Sequence, residues 1–244
     1  MIEYIKTIDG SNTLYSKEYD QNFHSTKDGA LSESLTKHVI PSFKLSNLTK
    51  NINILDICFG IGYNTFATIY YCKLHNIKTK ITFYSPEFDE SLVKSLKDFD
   101  YPKEFDSIKH IINEVSNNNY YKDDQFEIIV SIGDARKYIK NLSNINIVYQ
   151  DAFSSEVNKE LWSQEYFADI VKILDEQAII TTYSIATPIR LSMSQNNLNI
   201  YQHILPNKRK ATIASNYEIR DNLFKYIDMV KKLINNPSAK ALRD

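Results

Sequence analysis

The sequence predicts an α/β fold, a doubly wound sheet of seven strands with helices on both faces and a small N-terminal appendage. Two observations carry this prediction: apolar runs suited to buried strands alternate with helical patterns from about residue 52 onward, and the first such run enters a tight Gly60-x-Gly62 turn. Before residue 50 the chain has short polar and aromatic pieces and then a helical pattern over 29–43, so residues 1–50 read as the appendage and 51–244 as the main domain. The strand at 53–58 leads through the turn into a helix over 63–76, and a second strand follows at 80–86. Leu92, Val93, Leu96 and Phe99 share one side of an amphipathic segment from Glu90 to Phe99, which reads as a crossover helix. The polar stretch 112–124, with Asn117, Asn118, Asn119, Asp123 and Asp124, has no sustained period and reads as a surface insertion or irregular connection. Strands are expected at 126–132 and 145–150, with a short helix from Ala135 to Leu142 between them. Leu161, Phe167, Ile170, Val171 and Leu174 then mark a second crossover helix, before strands at 178–183, 198–204 and 210–214 and a closing helix after 216.

Composition narrows the function classes. At 244 residues and 43% hydrophobic, the chain can bury one large core. A net charge of −1 gives no global field to attract nucleic acid, so any RNA must be met by a local basic patch. Two cysteines, Cys58 and Cys72, make neither a zinc set nor a secreted disulfide framework, and a reducing cytoplasm is the expected compartment. The N-terminus lacks a signal-peptide pattern and no window approaches 18 uncharged apolar residues, so neither export nor a membrane is expected.

Chemistry concentrates at strand ends. Gly60 and Gly62 allow backbone angles closed to other residues and let the main chain approach a ligand, with the next helix pointing its N-terminal amides into the same crevice. Glu87 ends the second strand, where a carboxylate can accept from two ribose hydroxyls. Asp134, in Ile132-Gly133-Asp134-Ala135, is placed to accept from an adenine amine, to cap the following helix, or both. Asp151, in Val148-Tyr149-Gln150-Asp151-Ala152-Phe153, ends the fourth buried strand. No Walker, H-E-x-x-H or G-x-S-x-G pattern is present, and the five histidines (His24, His38, His75, His110, His203) are scattered and read as surface or core residues, so metal-dependent and covalent chemistry lack support. Methyl transfer from S-adenosylmethionine suits this inventory, since the protein needs mainly to align donor and acceptor. A carboxylate such as Asp151 can orient an amine acceptor, stabilise the charge forming on nitrogen and help remove its proton.

The run Asp151-Ala-Phe-Ser-Ser-Glu-Val-Asn-Lys-Glu-Leu-Trp162 resembles the Asp-Gly/Ala-Phe-x-Pro-x-x-Asn-Pro-x-x-Trp signature of the methyltransferase domain of the MnmC family. Phe59-Gly60-Ile61-Gly62-Tyr63-Asn64 is similar to that family's Phe-Gly-x-Gly-x-Asn turn, and further matches run through Tyr19-Asp20-x-x-Phe23, Gly29, Glu33, Gly133-Asp134-Ala135, Thr182-Tyr183-Ser184 and Lys208-Arg209. Ser155 and Lys159 stand where the family has prolines, and Val157 where it has Lys. The resemblance implies a class I S-adenosylmethionine-dependent methyltransferase of Rossmann-like fold that methylates the 5-aminomethyl group of the wobble uridine of tRNA. It covers only the methyltransferase half of a bifunctional protein, so a stand-alone enzyme without the FAD domain is expected, binding S-adenosylmethionine but neither FAD nor metal. By the same resemblance Gly60, Gly62 and Asn64 shape the cofactor turn, Glu87 holds the ribose, Asp134 and Ala135 meet the adenine, and Asp151 meets the cofactor and is the catalytic carboxylate. Tyr183 is expected to line the methyl-acceptor site, Phe153 and Trp162 to stack on an extruded uracil, and Lys208, Arg209 and Lys210 to meet phosphates. The residues leave packing open as a role for Tyr183 and Trp162, and a solvated turn for the basic run. Two other classes also stay open: an aminopropyltransferase of the spermidine synthase type, and a non-catalytic RNA-binding member of the fold.

Overall fold

The computed structural model describes residues 4–244; the first three residues of the expected appendage lie outside them. A small antiparallel sheet comes first, made of β1 (Tyr4–Lys6), β2 (Asn12–Ser16) and β3 (Gln21–Asn22). A continuous helical run follows: α1 (Ala30–Glu33), one π-helical turn (Ser34–Val39) and α2 (Ile40–Leu45). The central sheet is built from β4 (Ile52–Ile57), β5 (Ile81–Glu87), β6 (Tyr120–Lys122), β7 (Phe126–Ile132), β8 (Ile145–Gln150), β9 (Leu174–Thr182), β10 (Asn199–Ile204), β11 (Lys210–Ser215) and β12 (Phe224–Tyr226). Their spatial order is β12-β10-β11-β9-β8-β4-β5-β7-β6. The five strands from β9 to β7 run parallel, and β11 and β6 flank them antiparallel.

All seven expected strands are present within about two residues of their predicted bounds, except that β9 begins four residues earlier. Two short edge strands, β6 and β12, were not expected. The stretch 112–124, expected as irregular, instead completes α5 (Lys109–Asn118) and forms β6, turned by Asn119 in the left-handed region at φ 56°. Its helical face is made by Ile111, Ile112 and Val115, all buried, but the asparagine run after them obscures the period. The remaining helices are α3 (Tyr63–Leu74), α4 (Glu90–Ser95), α6 (Ala135–Ile139), α7 (Gln164–Ile173), α8 (Thr187–Ser194) and α9 (Met229–Asn235).

The parallel strands are buried on both faces, which explains their unbroken apolar character. On one face, Ile52, Ile54 and Phe83 pack with Phe66 and Ile69 of α3, and with Leu31, Val39 and Phe43 from the N-terminal helical run. The other face is closed by Trp162, Tyr166, Phe167 and Ile170 against Leu55, Ile57 and Val148. Residues 4–45 thus share the core of the central sheet, and they also reach over the carboxyl ends of its strands, where Gln21 and Ser154 exchange hydrogen bonds of 2.7 and 3.1 Å. Among the described residues no helix is long and apolar enough to cross a membrane.

Candidate active site

The carboxyl ends of β4, β5, β7 and β8 open into one cavity of about 1430 Å³, walled on the far side by the N-terminal segment and the turn between β10 and β11. This is the position at which open α/β sheets bind ligands. β4 ends at Ile57, Cys58 takes a positive φ of 60°, and Gly60 and Gly62 follow at 56° and 71°, so the chain reverses sharply into α3. A Cβ at Gly62 would sit 2.4 Å from Phe66 and 2.9 Å from Phe59, so this glycine is required by packing as well as by backbone angle.

Glu87 closes the turn from below. Its Oε2 accepts from the Gly60 amide at 2.7 Å, and its Oε1 accepts from the amides of Phe88 and Asp89 at 2.7 and 2.9 Å. Burial pushes this carboxyl above the usual range, while the amides pull against it. Asp134 caps α6, accepting from the amides of Arg136 and Lys137 at 2.8 and 3.4 Å, and still lines the cavity.

Deeper in, Asn64 joins two acids. Its Nδ2 donates to Asp151 Oδ2 at 2.9 Å and reaches Asp56 Oδ1 at 3.4 Å, while Thr65 Oγ1 donates to Asp56 Oδ2 at 2.8 Å. Burial, with Asp151 alongside, pushes the Asp56 carboxyl up to about 8 against the Thr65 and Asn64 hydrogen bonds. The other oxygen of Asp151, Oδ1, lies 3.5 Å from Nε2 of the fully buried His38. Asn64 Oδ1 and His38 Nε2 are buried with no hydrogen-bond partner, which leaves unmet polar capacity at the floor of the cavity.

The opposite wall is aromatic and charged. Phe153 packs against Tyr19 and Phe23, with ring centroids 4.8 and 5.1 Å away. Next to them Glu33 holds Lys37 at 2.5 Å, and Asp28 holds both Lys37 and Arg209 at 2.9 Å. Burial works against the Glu33 charge, but its His24 and Lys37 partners hold the carboxyl down at about 2. Lys208 and Lys210 stand exposed on either side of Arg209 at the cavity mouth.

Comparison with known proteins agrees with this geometry. Residues 103–217 match a family model described as S-adenosyl-L-methionine-dependent methyltransferase. The crystal structure of MnmC2 from Aquifex aeolicus superposes with a TM-score of 0.86 at 31% identity, over all of this chain and 79% of that one. The chain belongs to the MnmC2-like family of S-adenosyl-L-methionine-dependent methyltransferases. An uncharacterized protein of Methanocaldococcus jannaschii is 33% identical over 194 residues, 78% of this chain; the chain spans about half of that relative, 52% of its length. Spermidine synthase from Thermotoga maritima shares the fold, with a TM-score of 0.52 at 13% identity over all of this chain and 80% of that one.

Within this MnmC2-like methyltransferase, Gly60, Asn64, Glu87, Asp134, Ala135, Asp151, Phe153, Tyr183 and the run Lys208 to Lys210 all line the one cavity. Two expected site residues do not. Gly62 lies behind the lining as the residue that opens α3. Trp162 is fully buried, donating from its indole nitrogen to Phe153 O at 2.7 Å, so the structure offers it as an anchor of the Phe153 loop and not as a stacking surface. Tyr183 reaches the cavity, yet its hydroxyl is committed to Ala152 O at 3.0 Å. The sequence reading passed over Asp56, hidden inside an apolar strand, and read His38 as a surface or core residue; it is a core residue within ion-pair distance of Asp151. The available signal for His38 was its place five residues after Glu33 and one after Lys37, on a helical run in which Glu33, Ser34 and Lys37 are buried as well.

Proposed function

We propose that this methyltransferase acts on tRNA, transferring a methyl group to the 5-aminomethyl nitrogen of the wobble uridine to give 5-methylaminomethyl(-2-thio)uridine. The observation that carries the reading is the setting of Asp151: a carboxylate on the cavity floor, tied to the cofactor turn through Asn64, with an aromatic wall and a basic mouth opposite. The resemblance to MnmC2 supports the same assignment.

S-adenosyl-L-methionine, when bound, supplies a methyl group already activated on a sulfonium. The residues present fit it. Glu87 is fixed by three amides and keeps acceptor capacity on Oε2 for ribose hydroxyls. Asp134 and Ala135 stand at the next strand end for the adenine, and Asn64, with an unpartnered Oδ1, sits between the turn and Asp151. Glu87 and Asp151, which line the cavity on either side of the turn, favour a cationic ligand.

An amine acceptor has to expose a lone pair. Asp151 takes a proton from the amine, its N–H bond breaking as an O–H bond forms, and orients the nitrogen for in-line approach. Phe153, with Tyr19 and Phe23 behind it, presents an aromatic surface for a uracil turned out of its stack. Lys208, Arg209 and Lys210 meet backbone phosphates, and the N-terminal 50 residues act as an appendage that completes the substrate wall of the domain over 51–244. Cytoplasmic tRNA is the expected substrate pool, and no flavin or metal takes part.

The test offers labelled S-adenosylmethionine and purified protein to tRNA from cells lacking it, then digests the product to nucleosides. Label in 5-methylaminomethyl uridine is expected. Label on spermidine, on another nucleoside or on protein overturns the assignment, and a flavin spectrum in the purified protein counts against it.

A further inference from the structure

His38 has an environment that packing alone does not account for. It lies in the π-helical turn Ser34–Val39, a widened helical geometry that is frequent at functional sites. Its ring is fully buried, and its Nδ1 is 2.8 Å from Thr181 Oγ1 on β9. The Thr181 hydroxyl in turn points to Val148 O at 3.5 Å. With the hydroxyl proton assigned to that carbonyl, Nδ1 carries the imidazole proton and donates it to Thr181. Nε2 then presents a lone pair to Asp151 Oδ1. The separation of 3.5 Å fits this arrangement, since a charge-assisted N–H···O bond contracts to about 2.8 Å. Nε2 also has no other partner.

Among the described residues His38 is the one basic side chain within ion-pair distance of Asp151. The groups around the pair are otherwise acidic or phenolic: Asp56 beside Asp151, Tyr149 with its ring 5.5 Å from His38, and Tyr183, whose hydroxyl burial and Asp151 push up. Lys37, one residue away, is taken up by Glu33 and Asp28. A proton held on Asp151 therefore has one basic acceptor within reach.

We propose that His38 is the proton store for Asp151. The inference rests on the methyl-transfer reading above. The acceptor amine gives an N–H proton to Asp151, and Asp151 passes it from Oδ1 to His38 Nε2, where an N–H bond forms as the O–H bond breaks. Asp151 is a carboxylate again when positive charge develops on the amine nitrogen, and it lies between that charge and the imidazolium. After product leaves, the proton returns through Asp151 to the cavity water. His38 acts through Asp151 and touches no reacting atom, so it is a positioning residue whose position holds a proton.

The test has two readouts. Nitrogen-15 spectra of uniformly labelled wild-type protein at pH 8, with His38 assigned by comparison with His38→Asn, are expected to show Nδ1 protonated and Nε2 unprotonated. A protonated Nε2 overturns the proposal, because His38 would then only donate to Asp151. In steady-state kinetics His38→Asn, which keeps an amide facing Thr181, is expected to lower kcat about 30-fold or more while KM for tRNA and binding of S-adenosylhomocysteine stay within threefold. His38→Gln, which fills the space towards Asp151 without a basic nitrogen, is expected to show the same loss. Retention of kcat within twofold in either variant overturns the proposal. Should both variants fail to fold, the nitrogen-15 result on the wild type still decides. An inactive wild-type protein on aminomethyl-uridine tRNA counts against the substrate assignment and leaves the tautomer result standing.

Discussion

At the scale of single residues the site is governed by two carboxylates that share one asparagine. Asp151 and Asp56 are both bonded by Asn64, but only Asp151 is open to the cavity, and Asp56 is 1% exposed. Replacing Asp151 by Asn keeps the shape and removes the proposed base. Turnover is expected to fall about 100-fold or more with S-adenosylmethionine binding retained, as steady-state kinetics and calorimetry would read. Asp56 controls a different quantity. Its folded carboxyl titrates at about 8, against about 3.9 in an unfolded chain, so between these values the folded state holds the extra proton. Its contribution to stability is therefore fully present below about pH 4, falls as pH rises, and is lost above about 8. Melting temperatures measured from pH 6 to 8.5 are expected to fall more steeply in the wild type than in Asp56→Asn; parallel profiles would refute this. The acids at strand ends were legible because a lone polar residue closing an apolar run stands out. Asp56 was not, since Leu55 and Ile57 flank it and one buried polar residue leaves the strand pattern intact. The contacts around His38 were equally silent in the chain order, because Asp151 and Thr181 are more than a hundred residues away.

At the scale of elements, the turn from β4 into α3 does two jobs. Its amide at Gly60 fixes Glu87, and its second glycine lets Phe59 and Phe66 meet edge to face at 5.8 Å. An alanine at Gly62 faces both a left-handed backbone, at φ 71°, and the Phe66 ring 2.4 Å from its Cβ. Backbone strain of about 1–2 kcal/mol and overpacking of about 1–3 kcal/mol combine, so Gly62→Ala is expected to cost about 3 kcal/mol in denaturant unfolding. Gly133→Ala, also at positive φ but with nothing within 4 Å of the added Cβ, is the control and should cost only the strain. This turn was legible because two of five glycines fall within three positions. The π-helical turn was not. Its residues continue an ordinary helical run, and its neighbours on β9 and α3 are far away in the chain. Strands β1, β3, β6 and β12 are two or three residues long, too short for any period to register.

At the scale of the whole molecule, the proposed tRNA substrate has to reach a chain of net charge −1 through a small part of its surface. On that proposal the turn between β10 and β11 supplies that part. Arg209 is held by Asp28, and Asn207 donates to the same carboxylate at 2.9 Å, so the N-terminal segment fixes the turn at the cavity mouth. Lys208 and Lys210 flank this latch and are free of recorded ion pairs among the described residues, which leaves both charges available. Neutralising a phosphate releases counterions, so each lysine that does so contributes about one unit to the slope of log affinity against log salt. Lys208→Ala and Lys210→Ala are each expected to weaken tRNA binding, to reduce that slope by about one, and to leave S-adenosylhomocysteine binding unchanged. Asp28→Ala should also weaken tRNA binding, although it removes a negative charge, because it frees the turn from the wall it completes. A gain of affinity in Asp28→Ala would mean that charge alone, and not the placement of the turn by the N-terminal segment, governs how the substrate reaches Asp151.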